Sequence, residues 1–282
     1  MQSSWKKYHR VAVGALLACA AFSAAAADLL SEVRKRGELV VATEAAFKPF
    51  EFVENGKIVG YNKDLLTFVM QDFPEVKLKQ QDVPWSGVLP GLAASRFDLV
   101  VTAVAITPER ERRFAFTLPV ADATVALLRR TNDATLTQPS DINGRVIGSQ
   151  VGTSLLAAVT QYNQELKKAG QPGAKEIKQY ATMDEAYADL AAGRIDAVAQ
   201  SRSNLANVVK ERPDVYSIVD QTIGPKAYYA WVGRKDEASA PLIAAVSKRL
   251  AEANTSGLMK ELQLKWFGFE MPVPTEVPST AN

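Results

Sequence analysis

Short apolar runs alternate with segments of helical periodicity along most of the chain, and this alternation limits the fold more than any other feature. Runs rich in Val, Ile and Leu predict strands, whereas apolar residues three or four positions apart predict helices. The predicted strands cover 39–43, 49–53, 76–83, 98–104, 125–128, 146–148, 177–180 and 196–199. The predicted helices cover 65–73, 88–94, 154–168, 184–192, 203–210, 238–253 and 255–265. Strands separated by helices favour an α/β fold with mostly parallel sheets.

A ten-residue pattern occurs twice, 98 positions apart. Residues 92–101 read LAASRFDLVV and residues 190–199 read LAAGRIDAVA. Each copy predicts the end of a helix, a tight turn and a buried strand. Such a unit is common enough to match by chance. The alternative that we favour is two lobes of similar α/β design, because ligands bind at the carboxyl ends of such strands and the lobes would then share a cleft.

Residues 1–27 have the composition of a secretory signal peptide. A basic start is followed by the apolar run 11–22, and the segment ends in four alanines. The run is too short to span a bilayer, because a spanning helix needs about 20 apolar residues. We expect cleavage after Ala26 or Ala27 and export of the remaining chain to the periplasm.

The only His and the only Cys of the chain, His9 and Cys19, both lie in this segment. The exported chain therefore lacks imidazole and thiol groups, which excludes Ser-His-Asp catalysis, Cys-His catalysis and Cys or His zinc sites. It has 30 Lys and Arg residues against 31 Asp and Glu, a balance that argues against nucleic acid as a partner. A lipid anchor at Cys19 is the less favoured alternative to cleavage after Ala26 or Ala27. We expect neither a metal nor a cofactor.

The sequence predicts two helix starts directly after predicted strands, where ligand-binding groups gather. Thr107 is typical of a helix N-cap, and Arg110 one turn later offers a planar fork suited to a carboxylate. Gln150, Thr153 and Ser154 join a strand to the next helix and offer hydroxyl and backbone N–H groups. The alternatives are a solvated charged face for Arg110 and an ordinary helix cap for the second group.

Three further residues follow the ends of predicted strands. Phe47 and Trp85 are loop aromatics that could enclose the apolar part of a small ligand, although core packing explains such residues equally well. Glu44 ends a hydrophobic strand, where a carboxylate needs a partner. That partner is either a cationic or amide group of a ligand or a buried Arg or Lys of the protein.

Six strings in order give the chain a recognisable resemblance. They are LVVATEAAFKPFEF at 39–52, VGYNKDL at 59–65, WSGVLPGL at 85–92, ITPER at 106–110, GRIDAV at 193–198 and KWFG at 265–268. With these strings the chain resembles the bacterial extracellular solute-binding proteins of family 3, the periplasmic polar-amino-acid receptors of ABC importers. The resemblance extends from about residue 29 to residue 268.

The resemblance implies a type II periplasmic-binding-protein fold, an α/β architecture of two lobes joined by a two-stranded hinge. It places lobe 1 at 28–120 and 226–270, and lobe 2 at 124–222. We expect the proline-containing tail, 271–282, to be disordered.

The resemblance also implies roles for site residues. Arg110 would clamp a ligand α-carboxylate, with backbone groups of Ala103 and Ala105 beside it. Thr153 and Ser154 would present a helix N-terminus from the opposite lobe. Phe47 and Trp85 would enclose the ligand side chain, and Glu44 and Gln150 would contact its polar end.

Two positions depart from the family pattern. Ala105 lacks the hydroxyl that Ser or Thr often provides there. Gln200 and Ser201 end the strand where the family usually has an Asp that binds the ligand α-ammonium, and Ser201 takes that Asp position. A neutral hydroxyl forgoes the charge-assisted bond. Either Glu44 binds the ammonium instead, or the ligand has a substituted or absent amino group.

Three functions fit these observations. We favour a monomeric, non-enzymatic receptor that captures a small carboxylate-bearing ligand, an amino acid or a derivative, and delivers it to an ABC permease in the inner membrane. A dehydratase of a prephenate-like acid on the same scaffold is the first alternative, with Glu44 as general acid. A ligand-sensing subunit for a separate receptor is the second.

Overall fold

Thirteen strands and nine α-helices alternate over residues 28–279, the part of the chain that the computed structural model describes. The strands are β1 (Glu38–Thr43), β2 (Ala46–Phe47), β3 (Glu51–Glu54), β4 (Lys57–Val59), β5 (Lys77–Asp82), β6 (Leu99–Ala105), β7 (Phe114–Asp122), β8 (Val125–Arg130), β9 (Val146–Gln150), β10 (Glu176–Tyr180), β11 (Ala197–Ser201), β12 (Tyr216–Ile218) and β13 (Tyr228–Arg234). The helices are α1 (Leu29–Arg36), α2 (Tyr61–Val69), α3 (Trp85–Ala93), α4 (Pro108–Arg113), α5 (Ser154–Lys168), α6 (Met183–Ala191), α7 (Arg202–Glu211), α8 (Ala240–Thr255) and α9 (Leu258–Phe267). The predicted signal peptide lies outside the described residues.

Two five-stranded sheets of the same design form the centres of two lobes. The first has the order β5-β1-β6-β13-β7, in which β5, β1 and β6 are parallel and β13 is antiparallel to both of its neighbours, β6 and β7. The second has the order β10-β9-β11-β8-β12 and the same succession. The first sheet takes strands from both ends of the described chain, and the second takes strands from its middle. A small sheet, β2-β3-β4, lies beside the first.

The two copies of the ten-residue pattern occupy equivalent positions in the two lobes. The first joins α3 to β6, and the second joins α6 to β11. In each copy the Asp carboxylate ties the turn to the neighbouring strand. Asp98 Oδ2 accepts the Val40 N–H at 2.7 Å, and Asp196 Oδ2 accepts the Val146 N–H at 2.8 Å. The prediction of two lobes of similar design is confirmed.

Two chain segments pass between the lobes side by side and form the hinge. One links β7 to β8, and the other links β12 to β13. Backbone hydrogen bonds join them, with Ala123 N–H donating to Ala227 O and Ile223 N–H donating to Val125 O, both at 2.8 Å. This arrangement confirms the two-stranded hinge.

The segment after the last helix forms neither helix nor strand within the described residues, but it is anchored at its start. Met271, which we assigned to a disordered tail, is buried and exchanges two hydrogen bonds with the side chain of Gln263. Prolines prevent regular structure there without preventing packing. No helix within residues 28–279 is long and apolar enough to span a membrane.

Candidate ligand-binding site

Arg110 lies just beyond the carboxyl end of β6, and its guanidinium contacts both lobes. Thr107 caps α4 by accepting the Arg110 N–H at 3.2 Å, which fixes the start of the helix. Nη1 donates to Ala105 O at 3.1 Å, and Nη2 donates to Gly152 O of the second lobe at 3.3 Å. The guanidinium carbon is 5.2 Å from the centre of the Trp85 ring. Burial lowers the pKa of Arg110 to about 10, so the group stays cationic at neutral pH.

Glu44 and Gln150 meet across the cleft, at the carboxyl ends of β1 and β9. Gln150 Nε2 donates to Glu44 Oε1 at 2.7 Å and also to Ala181 O at 3.1 Å. Burial raises the pKa of Glu44 to about 7, and the nearby Asp82 carboxylate adds to the increase. Glu44 therefore changes charge close to neutral pH, with an amide as its bonded partner.

Aromatic and small side chains form the apolar part of the same cleft. Phe47 stacks on Phe50 with ring centres 5.7 Å apart, and Trp85 is half-buried at the start of α3. Ala103 and Ala105 are buried and point from β6 into the cleft. Because both are small, the sheet leaves space above them.

The amino end of α5 forms the wall from the second lobe. Thr153 caps this 15-residue helix, since its hydroxyl accepts the Leu156 N–H at 3.2 Å and donates to Gln150 O at 2.7 Å. The Thr153 hydroxyl is thus used by its own backbone. Ser154 is half-buried and follows directly. The N-terminus of a helix this long favours a negative charge.

A buried polar chain supports the floor of the cleft. Trp231 Nε1 donates to Asn62 Oδ1 at 3.0 Å, and Asn62 Nδ2 donates to Glu51 Oε2 at 2.5 Å. Thr102 and the Ala103 N–H donate to the other Glu51 oxygen. Burial raises the pKa of Glu51 to about 8, although the hydrogen bonds from Thr102 and Asn62 oppose the increase.

Nine of the eleven predicted site residues line one pocket between the lobes, which is partly open to solvent. They are Glu44, Phe47, Trp85, Ala103, Ala105, Arg110, Gln150, Thr153 and Ser154. Leu155 and Tyr229 complete the lining, and the sequence analysis named neither. Leu155 was within reach of sequence reasoning, because it directly follows two predicted residues. Tyr229 lies on β13, which the sequence analysis did not predict.

Gln200 and Ser201 do not line this pocket. Ser201 is the N-cap of α7, and its hydroxyl donates to Asn204 Oδ1 at 2.7 Å and lies 3.1 Å from Ser203 Oγ. Gln200 Oε1 accepts the Ser201 N–H at 2.7 Å. The Ser201 hydroxyl and Gln200 Oε1 therefore serve the strand end and the helix start, whereas Gln200 Nε2 is buried without a hydrogen bond to any described residue. Across residues 28–279 no cluster of His, Cys, Asp and Glu could hold a metal ion.

Comparisons with known proteins agree with this architecture. The family model "Bacterial extracellular solute-binding proteins, family 3" matches residues 39–269. The chain is 26% identical over 245 residues to the L-cystine-binding protein TcyJ of Escherichia coli K12, covering 86% of this chain and 87% of that protein.

Solved structures give the same picture. A P235GK mutant of the arginine-binding protein ArgBP from T. maritima superposes with a TM-score of 0.74 at 29% identity, covering 84% of this chain and 98% of that one. The ancestral amino-acid-binding protein AncCDT-1, described as a precursor of cyclohexadienyl dehydratase, superposes with a TM-score of 0.71 at 27% identity, covering 86% and 100%. With its two-lobed fold and the family match over most of its length, the chain belongs to the bacterial extracellular solute-binding proteins of family 3.

Proposed function

We propose that this protein is a periplasmic receptor that captures a small carboxylate-bearing ligand, an amino acid or a derivative of one, and delivers it to an ABC permease. The proposal rests on the position of Arg110. Its guanidinium lies in the pocket between the lobes, where it donates to one backbone carbonyl from each lobe. A guanidinium fork matches a carboxylate in geometry and charge. Its partial burial strengthens that attraction, because water screens it less.

The rest of the pocket supports the same class of ligand. The amino end of α5 supplies a second positive potential for the carboxylate. Phe47 and Trp85 offer apolar surface for a side chain, and Glu44 with Gln150 offers a carboxyl and an amide for a polar end. The relatives TcyJ and ArgBP are named for cystine and arginine, which are amino acids with polar side chains.

We infer that binding closes the lobes and that the closed form docks on the permease. The proposed lobes are residues 28–120 with 226–270, and residues 124–222. A ligand that touches both lobes favours the closed arrangement by its differential affinity for it. We further infer that the protein acts as a monomer in the periplasm, after removal of residues 1–27.

We also infer that the protein performs no chemistry on its ligand. The chain after residue 27 has no His or Cys, and Glu44 is the one carboxyl among the residues that line the pocket. Acid–base elimination normally uses two positioned groups, and the other titratable groups of the lining, Arg110 and Tyr229, both stay protonated at neutral pH. The dehydratase alternative is tested directly by incubating prephenate with the purified protein and separating the products by chromatography. Product formation above the rate without protein would contradict the receptor proposal.

The proposal is tested with the full chain, purified after export, unfolded and refolded to remove carried-over ligand. Polar amino acids, their derivatives and small carboxylic acids are screened by thermal shift, and hits are measured by calorimetry. A true ligand at 1,000 times its dissociation constant stabilises the protein by about 4 kcal/mol, a clear shift in melting temperature.

Arg110→Ala is the decisive variant, and Arg112→Ala is its matched control. Arg112 lies on the same short helix and is exposed. We expect Arg110→Ala to weaken binding of any carboxylate at least 100-fold, because a desolvated charge pair is lost. Arg112→Ala should bind normally. Full binding by Arg110→Ala, or no carboxylate ligand in the screen, would overturn the proposal.

A further inference from the structure

Tyr229 lines the pocket beside the residues that the sequence predicted. In the antiparallel pair of β13 and β6, Tyr229 is the register partner of Ala105. Residues paired in this way project from the same face of a sheet, so the Tyr229 ring lies on the side where Ala103 and Ala105 open the cleft. The small side chains of the two alanines leave room for the ring.

The hydroxyl of Tyr229 is buried and forms no hydrogen bond with any described residue. It approaches Ser201 without reaching hydrogen-bonding geometry. The Ser201 hydroxyl already donates to Asn204. A buried polar group without a partner costs about 1–3 kcal/mol, so its persistence in a binding pocket indicates a partner that arrives with the ligand.

The same end of the pocket holds the guanidinium of Arg110. Arg110 Nη1 donates to the carbonyl of Ala105, the residue paired with Tyr229. Burial raises the pKa of Tyr229 well above its usual range, although Arg110 opposes part of that increase. The phenol therefore stays protonated and can both donate and accept a hydrogen bond.

We propose that the Tyr229 hydroxyl binds the ligand directly, at the substituent on the carbon next to the carboxylate that Arg110 holds. This inference rests on the proposed function and adds to it a class of ligand. A neutral hydroxyl recognises this substituent by hydrogen bonding and not by charge. Acids with an amino, N-substituted amino or hydroxyl group on that carbon are therefore ligands, and acids with no such group bind more weakly.

The test compares wild type, Tyr229→Phe and the control Tyr228→Phe, each with three matched probes per ligand. L-Arginine, L-glutamine and L-methionine are each compared with their 2-hydroxy and their desamino analogues, with dissociation constants from calorimetry on the full exported chain. For wild type we expect the desamino acid to bind about tenfold more weakly than the other two. That factor corresponds to the net value of one hydrogen bond.

Tyr229→Phe should remove this preference. The substituted ligands should lose about tenfold in affinity, whereas the desamino acid should change less than twofold. The melting temperature of the ligand-free variant should be equal or higher, because the unpartnered hydroxyl is gone. Tyr228→Phe is the control, since Tyr228 is the next residue on the same strand and is absent from the pocket lining. It should leave all affinities unchanged.

Three results would overturn the inference. One is a Tyr229→Phe variant that keeps the full preference for substituted ligands. Another is a variant that weakens all three probes equally. The third is a ligand-free variant that melts at a lower temperature, which would assign the hydroxyl a structural role. If binding depends on Arg110 while Tyr229→Phe has no effect, the proposed function stands and this inference alone fails. If no carboxylate binds, either among these probes or in the thermal-shift screen, both fail.

Discussion

Glu44 is the residue through which pH acts on the proposed site. Its carboxyl accepts a hydrogen bond from Gln150, and burial raises its pKa to about 7. Below that pH the group is mostly neutral, and above it the group is an anion. A ligand with a cationic side chain needs the anion, so binding such a ligand displaces the proton.

We therefore predict that the affinity for L-arginine rises with pH below 7, by up to about tenfold per pH unit, and levels off above it. Glu44→Gln should bind with a flat pH profile from pH 5.5 to 8.5. Asp82→Asn is the matched variant, because the Asp82 carboxylate helps to raise the Glu44 pKa. It should move the midpoint to lower pH and keep the dependence. Calorimetry across this range checks the prediction, and a pH dependence that survives in Glu44→Gln would contradict it.

Individual site residues could be predicted from the sequence when they directly follow a predicted strand. Arg110, Glu44 and Gln150 could be named because each follows an apolar run, where parallel strands gather functional side chains. Tyr229 could not be named, since its role follows from its register with Ala105 on a strand far away in sequence. Ser201 was named by resemblance, and only the helix cap shows how its hydroxyl is used.

Among the elements, β7 was missed for a physical reason. Pro119 lies within β7, and proline in a run argues against a strand because it cannot donate to the ladder. β7 lies at the edge of its sheet, and Pro119 falls where the register with β13 shifts, so the missing donor is tolerated. Elements with strong apolar periodicity, such as α5 and α8, were predicted within a few residues of their observed ends, whereas the short strands β2, β4 and β12 were not predicted.

The repeated helix–turn–strand unit has the same turn conformation in both lobes, although a different residue stands at the turn in each. In the first lobe Ser95 adopts a φ of 55°, and in the second Gly193 adopts a φ of 72°. The two residues receive the same kind of bond, since Ser95 N–H donates to Leu92 O and Gly193 N–H donates to Leu190 O. A side chain in this left-handed region costs about 1–2 kcal/mol.

We predict that Gly193→Ser lowers the free energy of unfolding by about 1 kcal/mol. No atom lies within 4 Å of the added Cβ, so the cost is one of backbone conformation and not of packing. The melting temperature should fall by about 2–4 °C. Ser95→Gly, the reverse change in the other lobe, should leave stability equal or higher. Urea and thermal unfolding measure both. A loss above about 3 kcal/mol for Gly193→Ser would mean that the turn has a packing constraint absent from this structure.

For the whole molecule the central question is what holds the lobes together around the cleft. Contacts across it include the Gln150–Glu44 bond and the Arg110–Gly152 bond, which both lie in the pocket. A third lies outside the pocket lining, where Asn204 Nδ2 donates to Lys48 O at 2.6 Å. This last bond joins the two lobes without touching the proposed ligand, so we expect it to favour the closed arrangement.

We predict that Asn204→Ala weakens ligand binding about tenfold, mainly by faster release, although no pocket residue changes. When the closed state is less populated, the apparent dissociation constant rises by the inverse of the competent fraction. Asn207→Ala is the matched control, because Asn207 lies on the same helix and bonds only within it, to Glu211 at 3.2 Å. Small-angle scattering of the ligand-free Asn204→Ala variant should give a larger radius of gyration than that of wild type, and stopped-flow release should be faster. If release is unchanged while stability falls, Asn204 acts only within its own lobe, through its bonds to Ser201, and closure depends on the pocket contacts alone.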